Sequence, residues 1–190
     1  MSTGRRILLA AAWACCAFVA VPVAHADEAA WSALREGAVF IVRHAATEPG
    51  VGDPPDFRLD DCATQRNLSS AGRAQAASMG RAFVERRVAV GRVESSRWCR
   101  CVDTARLGFP QADVQIEPAL NSFFGARTAE PAQTEALRAR IRSWRGPGAL
   151  VLVTHQVNIS ALTGRPTAMG EGLVLQAAGT DLQVVGAVQF

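Results

Sequence analysis

Two uninterrupted apolar runs stand out along the chain. One is Ala38-Val39-Phe40-Ile41-Val42, bounded by Gly37 and Arg43; the other is Ala149-Leu150-Val151-Leu152-Val153, introduced by Gly146-Pro147-Gly148. Short runs without polar alternation read as strands buried on both faces, as in a parallel sheet. Arg92 to Ser95 and Val114 to Ile116 are shorter strand candidates. Between the strands the period lengthens. Gly72, Ala76, Met79 and Phe83 recur at helical spacing behind Ser69 or Ser70, either of which can cap a helix. Leu137, Ile141 and Trp144 fall at i, i+4 and i+7, and Gly146 with Pro147 stops that helix. Arg138, Arg142 and Arg145 share another face of it, which reads as solvated. Leu173 to Ala177 and Leu182 to Val188, around Gly179-Thr180-Asp181, suggest a final hairpin. Strands alternating with helices predict an α/β fold: a three-layer α/β/α sandwich with a mostly parallel central sheet and a C-terminal hairpin.

Composition narrows the class. At 190 residues, 49 % hydrophobic and 19 % charged, the chain can bury a sizeable core and is not intrinsically disordered. All 20 basic residues are Arg, and the net charge of +3 is too small and too dispersed to argue for nucleic acid. The N-terminus departs from the rest. Arg5-Arg6 precede an apolar stretch from Ile7 to Val21, followed by Ala24-His25-Ala26 and then Asp27-Glu28. A charged start, a short apolar core and an A-x-A site form the pattern of a secretory signal peptide over 1–26, too short to span a bilayer. Residues 27–190 then read as a single domain, periplasmic or secreted, with no membrane span after cleavage and a nearly neutral charge. No repeat or linker divides them. Cys62, Cys99 and Cys101 remain in that segment, which in an oxidising compartment suggests one disulfide and one leftover thiol. Cys99-x-Cys101 lacks the further ligands that a zinc site needs, so no metal is expected.

Chemistry gathers where the two buried strands end. The first runs into Arg43-His44-Ala45-Ala46-Thr47, the second into Thr154-His155-Gln156. Ligands of open α/β sheets bind beyond the carboxyl ends of strands, so both histidines point to one crevice. A third element, Ser95 to Ala105, turns from strand to helix and brings Arg97 and Arg100 to the same edge. Guanidinium groups match phosphate oxygens in bidentate fashion, and a neutral imidazole can attack phosphorus.

These segments resemble the histidine phosphatase (phosphoglycerate mutase-like) superfamily. Its Arg-His-Gly-x-Thr signature is similar to Arg43-His44-Ala45-Ala46-Thr47, with Ala45 in place of Gly. Its Leu-Thr-x-x-Gly-x-x-Gln-Ala motif is met by Leu68 to Ala76, and Ser-x-x-x-Arg-x-x-x-Thr-Ala by Ser96, Arg100, Thr104 and Ala105. The second family histidine follows a late apolar strand, as His155 does. The likeness runs from about Val39 to Ile159. It implies His44 as the nucleophile forming a phosphohistidine, and Arg43, Arg100 and His155 as groups that bind the transferred phosphoryl. Thr47 is an added hydroxyl, and Arg97 and Arg66 are optional anion contacts. Members need no metal or other cofactor for this chemistry, while Gln75 reads as a helix residue.

Two departures bear on the substrate. Relatives often carry a general acid in a Leu-x-Glu segment, where this chain has Leu120-Asn121-Ser122, and His155 is followed by Gln156, not by Asp. Substitute acids to consider are Glu171, Glu117, Glu130 and Asp53. The Pro/Asp-rich stretch Pro49 to Asn67 reads as a lid, and its Asp53, Asp56, Asp60 and Asp61 would repel a highly anionic substrate. A disulfide from Cys62 to Cys99 or Cys101, with Cys101 preferred, would tie that lid beside the Arg100 helix; three buried free thiols are the alternative. The expected function is an exported phosphatase acting through His44 on a small or surface-linked phosphate monoester, with no nucleic-acid partner. The alternatives are a non-catalytic envelope protein that keeps the phosphate-ester pocket, and a purely structural protein. Composition and motifs leave the oligomeric state open.

Overall fold

The computed structural model describes residues 23–190. Most of the expected signal peptide therefore lies outside the described residues, and Ala24 to Ala26 fall in the first turn of helix α1 (Val23–Arg35). The further elements are β1 (Val39–Arg43), α2 (Ser70–Glu85), β2 (Val90–Ser95), α3 (Cys99–Gly108), β3 (Val114–Ile116), α4 (Glu130–Ser143), β4 (Ala149–Thr154), α5 (Gln156–Thr163), β5 (Glu171–Ala178) and β6 (Asp181–Gln189). They form one six-stranded sheet in the order β3-β2-β4-β1-β5-β6. The first four strands in that order are mutually parallel, and β5 and β6 close the far side as an antiparallel hairpin. The three-layer α/β fold read from the sequence is the fold observed.

Why the central runs lack polar alternation is visible in the layers. Phe40, Val42, Val151 and Val153 pack on one face with Trp31 of α1, Met79 and Phe83 of α2, and Ala105 of α3. Val39, Ile41, Leu150 and Leu152 pack on the other with Leu137 and Ile141 of α4 and Ile159 and Leu162 of α5. Successive residues of a strand point to opposite faces, so a strand covered twice needs apolar residues throughout. Each such side chain removed from water contributes about 1.5–3 kcal/mol.

The stripe Gly72, Ala76, Met79 and Phe83 is the buried face of α2, and Ser69 is its cap, accepting from the Gly72 N–H at 3.1 Å. Gly80 lets α2 approach α3 closely, because a Cβ there would stand 1.9 Å from the Gly108 carbonyl oxygen. Helices α1 and α5 are additions to the sequence reading, which assigned no element to either segment. Among the described residues no helix is long and apolar enough to cross a membrane.

Candidate active site

Strand β1 delivers its chemistry at the last rung of the sheet. The His44 N–H donates to the Thr154 carbonyl (2.9 Å), and Gly170 N–H donates back to the His44 carbonyl (3.1 Å). The following turn is pinned from the α2–α3 side: Ala45 N–H donates to Thr104 Oγ1 (3.0 Å) and Ala46 N–H to Gln75 Oε1 (2.9 Å). Gln75 also donates to the Met169 and Phe190 carbonyls, which makes it a structural brace. Gly72 is required here, since any Cβ would meet the Ala46 carbonyl oxygen at 1.8 Å. Arg87 is the one described non-glycine residue with positive φ, so Ala45 occupies ordinary backbone where the signature has glycine.

The two histidines meet as expected. Their rings lie edge to face with centroids 5.5 Å apart, and both side chains are buried. His44 Nδ1 is 2.9 Å from the Ala45 carbonyl oxygen. A carbonyl can only accept, so Nδ1 carries the proton and Nε2 keeps its lone pair. Burial, reinforced by the charges of Arg100, Arg43 and Arg66, pushes the His44 pKa down to about 3 despite the opposing Ala45 bond. His155 is likewise held well below its ordinary range by burial, then by His44 and the same three arginines. Both imidazoles are neutral at physiological pH. His155 Nε2 is 2.9 Å from Ser96 Oγ and 3.5 Å from Cys101 Sγ.

Cations surround this pair. Arg43 donates from Nη1 to Gln156 Oε1 (3.0 Å) and the Thr167 carbonyl (2.8 Å), which fixes its guanidinium. Burial and the neighbouring Arg66 and Arg100 depress the Arg43 pKa, and burial with Arg100 depresses that of Arg66. The Nε atoms of Arg43, Arg66 and Arg100 are buried without a hydrogen-bond partner. Three like charges held together with orphaned donors form a cradle for an oxyanion, whose oxygens accept several N–H groups at once. Arg66, an optional contact in the sequence reading, stands with the cluster.

Asp53 reaches in from the 48–67 loop. It accepts from Arg100 Nη1 (2.6 Å), Arg66 N–H (3.0 Å) and Trp98 Nε1–H (3.0 Å). The paired side chains of Arg100 and Asp53 are only 5 % and 8 % exposed. Burial opposes Asp53 ionisation, but the Arg100 bond and charge and the two N–H donors outweigh it and hold the carboxyl below its usual range.

Other sequence candidates lie apart from the cluster. Glu117 caps a short turn at Ala119 N–H, Glu130 pairs with Arg127 on the surface, and Glu171 accepts from Ala168 N–H. Thr47 is buried against Met169 Sδ, and Arg97 is exposed, with its backbone N–H on Asn121 Oδ1. Of the four loop aspartates only Asp53 faces the pocket; Asp61 pairs with Arg58, and Asp56 and Asp60 are exposed. Trp98, Gln156 and Thr167 were missed by the sequence reading. They hold Asp53 and Arg43 in place, and no motif flags them.

The disulfide is a correction. Cys62 pairs with Cys99, not with the preferred Cys101. Two residues apart on a helix are rotated by about 200°, so Cys99 faces the loop while Cys101 faces the sheet. There its thiol touches the Thr154 carbonyl and burial pushes its pKa up to about 12.

No family model matches the chain, and no curated protein matches its sequence. Solved structures do match its shape. The protein histidine phosphatase SixA in complex with tungstate superposes with a TM-score of 0.59 at 14 % identity, covering 80 % of this chain and 96 % of that one. A mycobacterial glucosyl-3-phosphoglycerate phosphatase in complex with VO3 gives 0.58 at 18 % identity, over 78 % and 96 %. A phosphoserine phosphatase from Entamoeba histolytica, with 3-phosphoglyceric acid, gives 0.60 at 11 % identity, over 81 % and 98 %. These neighbours are members of the histidine phosphatase superfamily, and their fold is the fold of this chain.

Proposed function

We propose that the protein is a phosphatase that hydrolyses a phosphate monoester through a phosphohistidine on His44. One observation carries the reading: burial keeps His44 neutral, its Nδ1–H is spent on Ala45, and the charges of Arg100, Arg43 and Arg66 act on its ring. An uncharged imidazole is nucleophilic without first losing a proton. Arg43, Arg66 and Arg100 balance the charge spread over the phosphoryl oxygens during transfer. His155 donates to the same group from Nδ1, which requires the Ser96 hydroxyl to turn from Asn121 Oδ1 (3.3 Å) and donate to Nε2 across their 2.9 Å contact. Water then attacks the phosphohistidine, returns the electron pair to His44 and releases phosphate. No step calls on a metal.

The substrate we assign is a small or surface-linked phosphate ester met outside the cytoplasm. The signal-peptide pattern of residues 1–26 supports that location, and a Cys62–Cys99 bridge suits an oxidising compartment. Hydrolysis of 4-nitrophenyl phosphate is the test. Turnover by the wild type, with an acid-labile phosphoenzyme that His44→Ala abolishes, is the expected result. Vanadate raising Tm without any turnover would instead mark a phosphate-binding protein.

A further inference from the structure

Expulsion of an alkoxide needs a proton, and a carboxylic acid beside the bound phosphoryl group is the side chain suited to supply it. Among the described carboxylates, Asp53 is the one hydrogen-bonded to the arginine cluster. Resting on the phosphatase reading above, we propose that Asp53, carried by the 48–67 loop, is the general acid for the leaving group and the base for the attacking water.

Geometry makes the assignment. Asp53 takes one nitrogen of Arg100, whose Nε lacks a partner, so a phosphoryl oxygen bound to that same guanidinium lies within a few ångströms of the carboxyl. Trp98 links the acid to the histidines: its indole N–H holds Asp53 at 3.0 Å while its ring stands 5.3 Å from that of His155. Gly50 and Gly52 precede Asp53 with φ of 135° and 72°, values closed to most side chains, and Pro54-Pro55 follow.

In the free protein Arg100 keeps Asp53 ionised. A bound phosphoryl group takes over the Arg100 charge and sets a second negative charge beside the carboxyl, and both changes favour its protonated form. The proton arrives with the substrate monoanion. His44 Nε2 then forms the N–P bond as the P–O bond breaks, the electron pair goes to the leaving oxygen, and Asp53 passes its proton there to release an alcohol. The resulting carboxylate takes a proton from water as that oxygen attacks phosphorus. The N–P bond breaks toward His44, and phosphate departs with Asp53 protonated again.

The experiment is a leaving-group series of aryl and alkyl phosphates, read as kcat/KM for the wild type, Asp53→Asn and Asp53→Glu, with Tm recorded for each. For Asp53→Asn a loss of about 10²–10⁴-fold is expected on alkyl phosphates. Nitrophenyl phosphate should change only a few-fold, so the series steepens, and Asp53→Glu should restore part of the alkyl activity. An equal loss on every ester would reduce Asp53 to holding Arg100 and overturn the proposal. A gain on every ester with tighter phosphate inhibition would overturn it too, by showing a competitor for the anion site. If neither variant folds, the wild-type series decides: a steep one overturns the acid, a shallow one supports it. A wild type inert toward nitrophenyl phosphate would instead defeat the phosphatase reading itself.

Discussion

The strand ends that carry His44 and His155 and the loop that carries Asp53 meet at Arg100, but they are held by different physics. Every residue from Ala149 to Thr154 is buried, and β1 lies between β4 and β5 with helices over both faces. The loop has little core of its own: Asp56, Phe57, Arg58 and Asp60 are exposed, and it is anchored by Asp53, Gln65, one disulfide and the Thr47–Leu68 bridge at its base. Non-directional burial fixes the histidines, whereas a few directional and covalent contacts fix the loop. The first arrangement resists local change, and the second can be dismantled one contact at a time.

Removing the nucleophile should sharpen that contrast most. His44→Ala should lower turnover by at least about 10⁴-fold, the scale seen when a covalent nucleophile is deleted. Its Tm should stay near the wild-type value, because the sheet beneath is untouched. Retained activity would break the assignment of the strand ends as the reacting centre.

Next in size is the loop's covalent tether. Replacing Cys62 and Cys99 together by Ser removes a bridge that closes 37 residues, worth about 4 kcal/mol on a chain-entropy basis. For a domain of this size that lowers Tm by roughly 8–16 °C. Hydrogen exchange should show loop amides losing protection first while β1 and β4 keep theirs. Equal loss in both regions would erase the distinction.

The comparison explains what could be read in advance. β1, β4, the final hairpin and the α2 stripe follow from local periodicity, since burial on a regular element writes itself into the spacing of apolar residues. The paired histidines were legible for the same reason: each stands two positions past the end of such a run. The Asp53–Arg100 pair spans 47 residues and depends on loop glycines at positive φ, which leave no periodic trace. The Arg140–Glu94 pair on the α4 side is equally hidden, and α5 is too short for its apolar residues to complete a recognisable period. Cysteine pairing was ambiguous because Cys99 and Cys101 differ only in which side of one helix they take.

Acidification should strain the strand ends selectively. An unfolded histidine binds a proton below about pH 6.5, whereas folded His44 holds out to about 3 and His155 also titrates well below its ordinary range. The unfolded state therefore binds more protons across that window, and stability falls as pH falls through it, by up to about 1.4 kcal/mol per pH unit for each histidine. Above pH 6.5 neither contributes. Urea denaturation of the wild type and His44→Ala at pH 7.5, 6 and 5 should show a smaller slope in the variant. The kcat/KM profile should show no acid limb near 6.5 from His44. The smallest effect is at the loop's exit: Ser69→Ala removes the α2 cap and should cost about 1 kcal/mol with kcat unchanged.

The pairing of β1 with β4 sets Val42 opposite Val153 and Arg43 opposite Thr154, partners 111 positions apart in the chain. Joining such distant segments requires an expensive loop closure before any contact rewards it, which slows the search for the native state. His44 and His155 acquire their shared surroundings only when this pairing forms. A nascent or partly collapsed chain thus carries both imidazoles without the site that they form together, and that site waits on a long-range pairing.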